Sequence, residues 1–148
     1  MTLRFLGDHA DPERLERLGG GLGRLAAATP PLTVRPGPTG AFPGWGRPRV
    51  LWLGLEDRDG LVPLAVAVEE AARRAGFPAE ELPFTPHLTL GRTKGTRIAV
   101  PIVDAVRGWR ADTGDETLKE MVLYRSEPGP SGPRHEPLAR HPLAGGRP

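Results

Sequence analysis

PFTPHLTLGR, at residues 83–92, is the stretch of this 148-residue chain that says most about its fold and chemistry. Successive side chains of a β-strand point to opposite faces, so the stretch predicts a strand with His87 and Thr89 on one face. Leu88 and Leu90, on the other face, are expected to face the core. An imidazole can transfer a proton, a hydroxyl can donate a hydrogen bond to an anion, and Arg92 can bind a phosphate oxygen. The same residues also fit an ordinary strand that ends in a cation, so the pattern alone leaves both interpretations open.

The chain opens with a second stretch of this kind, MTLRFLGD at residues 1–8. Apolar residues alternate from Met1 to Phe5, and the Gly-Asp pair that follows is typical of a turn. These features predict a strand at the start of the sequence. Both stretches contain Thr followed by Leu, which forms a weak internal repeat.

The rest of the pattern predicts strands that are separated by helices. A first helix should begin after Asp11, which can serve as its N-cap ahead of a proline, and should carry a leucine stripe. A second helix is expected at residues 61–74, before the stop signals Gly76 and Pro78. The other predicted elements are strands at 32–36, 49–56, 118–126 and 135–143 and a helix at 101–109. This order indicates an α+β fold of two similar halves, in one domain that covers residues 1–148.

The composition excludes several classes of function. The 20 Lys and Arg residues against 18 Asp and Glu leave a net charge of +2, too small to indicate nucleic-acid binding by itself. The absence of cysteine excludes disulfides, thiolate metal ligands and cysteine nucleophiles. No run approaches the roughly 18 apolar residues of a membrane span, and no cluster of His, Asp and Glu has the spacing of metal ligands. We therefore expect a soluble, cytoplasmic protein that needs no metal or other cofactor.

Several stretches of the chain resemble one known family. F-x-P-H-L-T-L-x-R at residues 84–92 and T-L-R-F-L-G-D at residues 2–8 are similar to the two signature motifs of the 2H phosphoesterase superfamily. The similarity is specifically to the bacterial and archaeal RNA 2′,3′-cyclic phosphodiesterases, once named 2′-5′ RNA ligases, and it continues through residues 42–56 and 120–132. The resemblance implies a two-lobed fold in which two antiparallel sheets with outer helices surround a central cleft.

The resemblance also implies which residues form the site. The family has a His-x-Thr motif in each half, on strands that face the cleft. His87 and Thr89 would be the second pair, and Thr2 would be the threonine of the first. The first histidine would stand before Met1, so the family's first strand and helix are expected to be missing from this sequence. Either the start codon was placed at an internal methionine, or the gene is truncated and encodes a damaged enzyme.

The activity implied by the resemblance is metal-independent hydrolysis of RNA 2′,3′-cyclic phosphate ends to 2′-phosphomonoesters, with 2′-5′ RNA ligation as a further activity. His87 would be the general base and the absent histidine the general acid, or the reverse. Thr2 and Thr89 would hold the phosphate through their hydroxyls, with Arg92 as an auxiliary. Expected partners are RNA 2′,3′-cyclic phosphate ends or cyclic nucleotides and no membrane, and the protein is expected to be a monomer. Two alternatives stay open: binding of nucleotides or RNA ends without turnover, and an inactive truncated remnant.

Other candidate residues have simpler interpretations. His9, His135 and His141 are expected to be exposed or half-buried polar residues that do not replace the absent histidine. GLGRLA at residues 21–26 fits the dinucleotide-binding pattern G-x-G-x-x-A, but it lies inside the first predicted helix with no strand before it. We therefore expect no dinucleotide site there.

Overall fold

The computed structural model describes residues 1–7, 11–57, 60–93, 95, 98–129 and 132–146. Within these residues it contains three helices, which are α1 (Pro12–Ala28), α2 (Leu61–Arg74) and α3 (Val100–Val106). The strands are β1 (Leu32–Phe42), β2 (Val50–Asp57), β3 (His87–Arg92), β4 (Glu116–Leu118), β5 (Glu120–Glu127) and β6 (Arg134–Pro142). None of the described helices is both long enough and apolar enough to cross a membrane. The order of helices and strands confirms the predicted α+β class.

The strands form two antiparallel sheets, as the resemblance implied. Four strands lie in the order β3-β2-β1-β4, and β5 pairs with β6 in a separate sheet. Only Lys119 separates β4 from β5, so the single strand predicted at 118–126 is two strands, one in each sheet. Strand β1 extends beyond the predicted 32–36, because its pairing with β2 continues past an irregularity between Pro36 and Thr39. A proline has no N–H for the ladder, so such an irregularity is where a strand tolerates it.

Helix α1 begins, and helix α2 ends, where local signals predict. The Asp11 carboxylate accepts a hydrogen bond from the backbone N–H of Arg14 at 2.8 Å, as expected of an N-cap. Shortly after α2, Gly76 has a φ of +97°, which most other residues adopt only at a cost. Gly21 of α1 faces Ala71 of α2, whose Cβ lies 3.6 Å from where a Cβ on Gly21 would stand. Small residues therefore line the contact between the two helices, and GLGRLA is helix, as predicted.

The main hydrophobic core lies between these helices and the strands. Leu61 at the start of α2 is fully buried, and Leu18 of α1 is only 1% exposed. The buried members of this core come from α1, α2, β1, β5 and the segments after α2 and β6: Leu18, Leu22, Ala26, Leu32, Val34, Leu61, Leu64, Val68, Ala72, Ala75, Phe77, Met121, Leu123 and Leu143. Since residues from both sheets meet in this one core, the packing joins the two sheets.

The four-stranded sheet has two different faces. Leu32 and Val34 of β1 are buried against α1 and α2. Leu53 of β2 shares this face and is also buried. Thr39, which pairs with Leu53, lies on the same face, and its hydroxyl donates a hydrogen bond to the Val106 carbonyl of α3 at 2.8 Å. We call this the helix-covered face. The alternating residues form the opposite face, which we call the open face.

The prediction of a strand at the start of the chain is wrong. Residues 1–7 form no strand, and Asp8 and His9 lie outside the described residues. Leu3 and Leu6 instead contact the helical core, and the Arg4 guanidinium pairs with Glu69 at 2.5 Å. A strand needs a neighbour for its backbone N–H and C=O groups, and among the described strands none pairs with this segment. Alternation alone therefore predicted the wrong conformation.

The expectation that the leucines of β3 face the core is also wrong. Leu88 is 38% exposed and Leu90 is 47% exposed. Both belong to the edge strand of the sheet, so a neighbouring strand covers them on one side only. Alternation predicts which residues share a face, but the rest of the fold decides whether that face is buried.

Candidate active site

His87 lies at the start of β3, opposite Gly54 of β2 on the open face. It is half-buried, and its Nδ1 lies 2.7 Å from the backbone carbonyl oxygen of Thr85. A carbonyl oxygen can only accept a hydrogen bond, so Nδ1 carries the hydrogen in this contact. In the neutral ring, Nε2 is then the nitrogen that can accept a proton. The contact with the Thr85 carbonyl therefore favours the tautomer in which Nε2 can act as a general base.

Thr89 follows two residues later and shares the open face with His87. It is exposed and lies opposite Trp52 of β2 in the antiparallel ladder. The predicted pairing of an imidazole and a hydroxyl on one strand face is therefore present. These two groups can act on the same anion, one by proton transfer and the other as a hydrogen-bond donor.

Arg92 joins this face through a β-bulge that the sequence pattern did not reveal. Alternation places Arg92 on the face opposite His87, because the two residues are an odd number of positions apart. In the ladder, however, Thr89 pairs with Trp52 and Gly91 with Leu51, so one residue of β3 is left without a partner. The bulge places Arg92 opposite Val50, on the open face.

Arg92 and Arg35 share the open face but differ in their ionic surroundings. Arg35 donates a hydrogen bond to the Asp115 carboxylate at 2.5 Å, and this contact raises the pKa of Arg35. Within the described part of the chain, the side chain of Arg92 makes no ion pair or hydrogen bond. Of these two arginines, Arg92 is therefore the one whose guanidinium can neutralise a bound anion.

Two aromatic rings lie beside His87 and were not singled out from the sequence. The centroid of the Phe42 ring is 5.2 Å from that of His87, at an interplanar angle of 84°. Trp52 is 6.0 Å from His87 and 5.2 Å from Phe42. A Cβ on Gly40 would stand 2.0 Å from the Trp52 ring, so Gly40 leaves the space that the indole occupies. In LWLGLE a glycine, Gly54, follows Trp52 two positions later and therefore lies on the same face of the strand. Because glycine has no side chain, this spacing is the signal that could have indicated a ring lying flat on the sheet.

Thr2 is not joined to these residues in the structure. It is exposed, and within the described residues no hydrogen bond links it to His87 or Thr89. Its assignment to the phosphate site stays a prediction from the resemblance.

The remaining histidines lie elsewhere. His135 is exposed on β6, where its Nδ1 is 2.7 Å from the Ser126 hydroxyl and its ring is edge-on to Tyr124. His141 is half-buried near Gly23 of α1. Both have the exposure that was expected, while His9 falls outside the described residues. Over those residues, no group of three or more His, Asp or Glu side chains could hold a metal ion.

A groove of about 770 Å³ lies on the helical side of the molecule, between α1 and α2. Arg17, Arg24 and Arg74 stand among its lining residues, together with glutamates and small residues. It contains no histidine, so it lacks the imidazole that the open face has. The open face of the sheet is therefore the better candidate for catalysis.

Comparison with known proteins places these features in context. A model of the 2′-5′ RNA ligase superfamily matches residues 1–129. The RNA 2′,3′-cyclic phosphodiesterase of Archaeoglobus fulgidus is 34% identical over 140 residues, which cover 93% of this chain and 76% of that protein. The protein of the same name from Geobacillus stearothermophilus is 32% identical over 146 residues, and the match covers 98% of this chain but 45% of the relative. The crystal structure of E. coli LigT complexed with 3′-AMP superposes with a TM-score of 0.77 at 28% identity, over 95% of this chain and 74% of that one.

Proposed function

The chain belongs to the 2′-5′ RNA ligase superfamily, and we propose that it hydrolyses RNA 2′,3′-cyclic phosphate ends to 2′-phosphomonoesters on the open face of β3. The observation that carries this proposal is the hydrogen bond between His87 Nδ1 and the Thr85 carbonyl. It leaves Nε2 as the proton acceptor, beside the Thr89 hydroxyl on the same face. The relatives named as RNA 2′,3′-cyclic phosphodiesterases support the substrate class. We also expect the protein to act as a monomer in the cytoplasm.

The proposed reaction needs one group to accept a proton and another to donate one. A water molecule attacks phosphorus and forms a new P–O bond, while Nε2 of His87 accepts the water proton. The bond between phosphorus and the 3′ oxygen breaks, and the 3′ oxygen takes up a proton to become a hydroxyl. The resemblance assigns that proton to the histidine of the first motif, whose position would precede Met1. Among the residues that the chain does contain, His87 performs the first transfer.

The negative charge of the phosphoryl oxygens increases during the attack, and donors on the open face can stabilise it. Thr89 can donate through its hydroxyl, and Arg92 can contribute a charge-assisted hydrogen bond. Arg35 is held by Asp115 at 2.5 Å and is not assigned to the phosphate. Thr2 is proposed as the second hydroxyl donor, on the resemblance alone.

A second candidate function is binding of RNA ends without turnover. On the described part of the open face, His87 is the single imidazole, so the other proton transfer has no assigned histidine there. Phosphate binding needs only the hydroxyl and guanidinium donors, and these do not depend on a second histidine. The two functions differ in whether a cyclic nucleotide is consumed.

The test is turnover of adenosine 2′,3′-cyclic monophosphate, with the formation of 2′-AMP followed by chromatography. His87→Asn should lower kcat by about 10²–10⁴-fold, the usual contribution of a positioned acid or base. Thr89→Val should weaken turnover too, and Thr117→Val on β4 is the matched control, since Thr117 is an exposed threonine of the same sheet. Unchanged turnover in His87→Asn would refute the role of His87. Tight binding of 2′-AMP by a wild-type protein that consumes no cyclic nucleotide would select the second function.

A further inference from the structure

Three exposed arginines lie at the loop that joins β1 to β2. Arg47 is part of this loop, and Arg49 ends it, where its backbone N–H donates a hydrogen bond to the Phe42 carbonyl at 2.8 Å. Arg107 is the C-cap of α3, and its guanidinium carbon lies 5.1 Å from the centroid of the Trp45 ring in the same loop. Contacts between distant segments thus bring the three together, and we call them the hairpin arginines (Arg47, Arg49 and Arg107).

The hairpin arginines lack the ionic partners that some other arginines of the chain have. Arg74 and Arg140, for example, each pair with a carboxylate. Among the described residues, no carboxylate pairs with a hairpin arginine, and none of the three side chains donates a hydrogen bond. Asp104 is the acidic residue nearest to Arg107 in the sequence, and it too forms no ion pair with it. The three guanidinium groups are therefore available to an external anion.

The hairpin arginines adjoin the candidate active site. The backbone N–H of Thr93 donates a hydrogen bond to the Arg49 carbonyl at 3.0 Å. Arg49 therefore lies beside the end of β3 that carries Arg92. Positive charge thus continues from the candidate phosphate site to the loop.

The other end of the open face has a different balance of charge. Arg35 is already paired there with Asp115 at 2.5 Å, and the carboxylate-bearing Glu56 lies opposite Arg35 in the ladder. Glu56 is two residues beyond the partner of His87 in β2. A chain of phosphates that extends from His87 is therefore attracted towards the loop rather than towards Glu56.

We propose that the hairpin arginines bind the backbone phosphates that precede the cyclic end of an RNA strand. This inference rests on the proposed function, because it places the terminal phosphate beside His87, Thr89 and Arg92. A strand that ends in a 2′,3′-cyclic phosphate can continue only on its 5′ side, and the charges favour the path over the loop. Arginine binds phosphate oxygens strongly, but phosphate contacts carry no sequence information. The protein should therefore prefer an oligoribonucleotide to a mononucleotide, with little dependence on the upstream sequence.

The experiment compares a long probe with a short one, neither of which is consumed. Binding of a 5′-fluorescein hexaribonucleotide with a 2′-phosphate end is measured by fluorescence anisotropy, and binding of 2′-AMP by calorimetry, both on the full chain. Arg47→Gln/Arg107→Gln should weaken hexanucleotide binding by about 10-fold or more, the contribution of a hydrogen bond to a charged group. It should leave 2′-AMP binding unchanged. The slope of log affinity against log salt should fall by about 1.4, because a single strand contributes about 0.7 for each phosphate contact.

Two control variants separate charge at the loop from other effects. Arg47→Lys/Arg107→Lys keeps both positive charges and should keep the salt slope. Arg24→Gln/Arg73→Gln removes two exposed arginines from α1 and α2 and should leave both affinities unchanged, although it changes the net charge equally. Circular dichroism checks the folding of every variant, because Arg107 also contacts Trp45.

Each outcome decides the proposal. Equal weakening of hexanucleotide and 2′-AMP in Arg47→Gln/Arg107→Gln would mean that these arginines only support the active site, and the inference would be overturned. Equal losses in the two glutamine variants, or a wild-type protein that binds the hexanucleotide no better than 2′-AMP, would overturn it as well. Displacement of the hexanucleotide by hexaglutamate as readily as by unlabelled hexanucleotide would assign the surface to an acidic protein instead. Selective loss of hexanucleotide affinity supports the proposal even if no cyclic nucleotide is consumed, so failure of the proposed hydrolysis is seen separately in the turnover assay.

Discussion

Replacing Gly40 by alanine tests whether the Trp52 indole holds the site together. A Cβ at this position would stand 2.0, 2.2 and 2.5 Å from three atoms of the indole, whereas ordinary contact begins near 3.4 Å. The ring must therefore move by about 1.4 Å, or the strand must shift. Overpacking of this kind typically costs about 1–3 kcal/mol of unfolding free energy. The lower entropy of the unfolded alanine chain offsets about 0.4–1 kcal/mol of that loss.

The effect on activity should exceed the effect on stability. Trp52 lies 6.0 Å from His87 and 5.2 Å from Phe42, so a displaced indole displaces both neighbours. A misplacement of about 1 Å in an active site can reduce the rate by about 10²-fold. We therefore expect Gly40→Ala to lower kcat/KM for adenosine 2′,3′-cyclic monophosphate by about this factor, at a temperature where the variant remains folded.

Urea denaturation followed by circular dichroism measures the stability, and chromatography of 2′-AMP measures the turnover. Gly46→Ala is the matched control, because Gly46 lies in the same β1–β2 hairpin with no atom within 4 Å of the added Cβ. The control should stay within about 0.5 kcal/mol of wild type, as surface substitutions usually do. A Gly40→Ala protein with wild-type stability would contradict the packing argument. A destabilised variant with full turnover would show that the indole does not position His87.

Three further predictions concern charge, core packing and helix capping. Arg92→Gln should weaken phosphate and 2′-AMP binding by about 10- to 150-fold, the contribution of a hydrogen bond to a charged group, whereas Arg73→Gln on α2 should leave calorimetric affinities unchanged. Leu61→Ala should lower the unfolding free energy by about 2–5 kcal/mol in urea melts, because Leu61 is fully buried. Val62→Ala, at a side chain that is 40% exposed, is the control, and an equal loss in the two variants would contradict the prediction. Asp11→Ala should cost about 0.5–2 kcal/mol through the lost N-cap of α1, which thermal melts would detect as a lower Tm.

The sequence by itself determined the features that depend on neighbours along the chain. The N-cap at Asp11 set the start of the first helix and the stop near Gly76 set the end of the second, because capping and φ preferences are local. The alternation of β3 placed His87 and Thr89 on one face, since the period of a strand is a property of its own backbone. The α+β class followed from the order of these elements. These inferences needed no knowledge of which strands pair.

Only the tertiary structure decided the features that depend on pairing between distant segments. The bulge between β2 and β3 places Arg92 on the face of His87, whereas uninterrupted alternation would place it on the other face. The register of β1 with β2 brought Phe42 and Trp52 to the same imidazole. The first seven residues alternate like a strand but form none, because a strand exists only where a partner satisfies its backbone hydrogen bonds. Register, bulges and strand partners depend on which segments of the chain come together, so the pattern of one strand taken alone does not specify them.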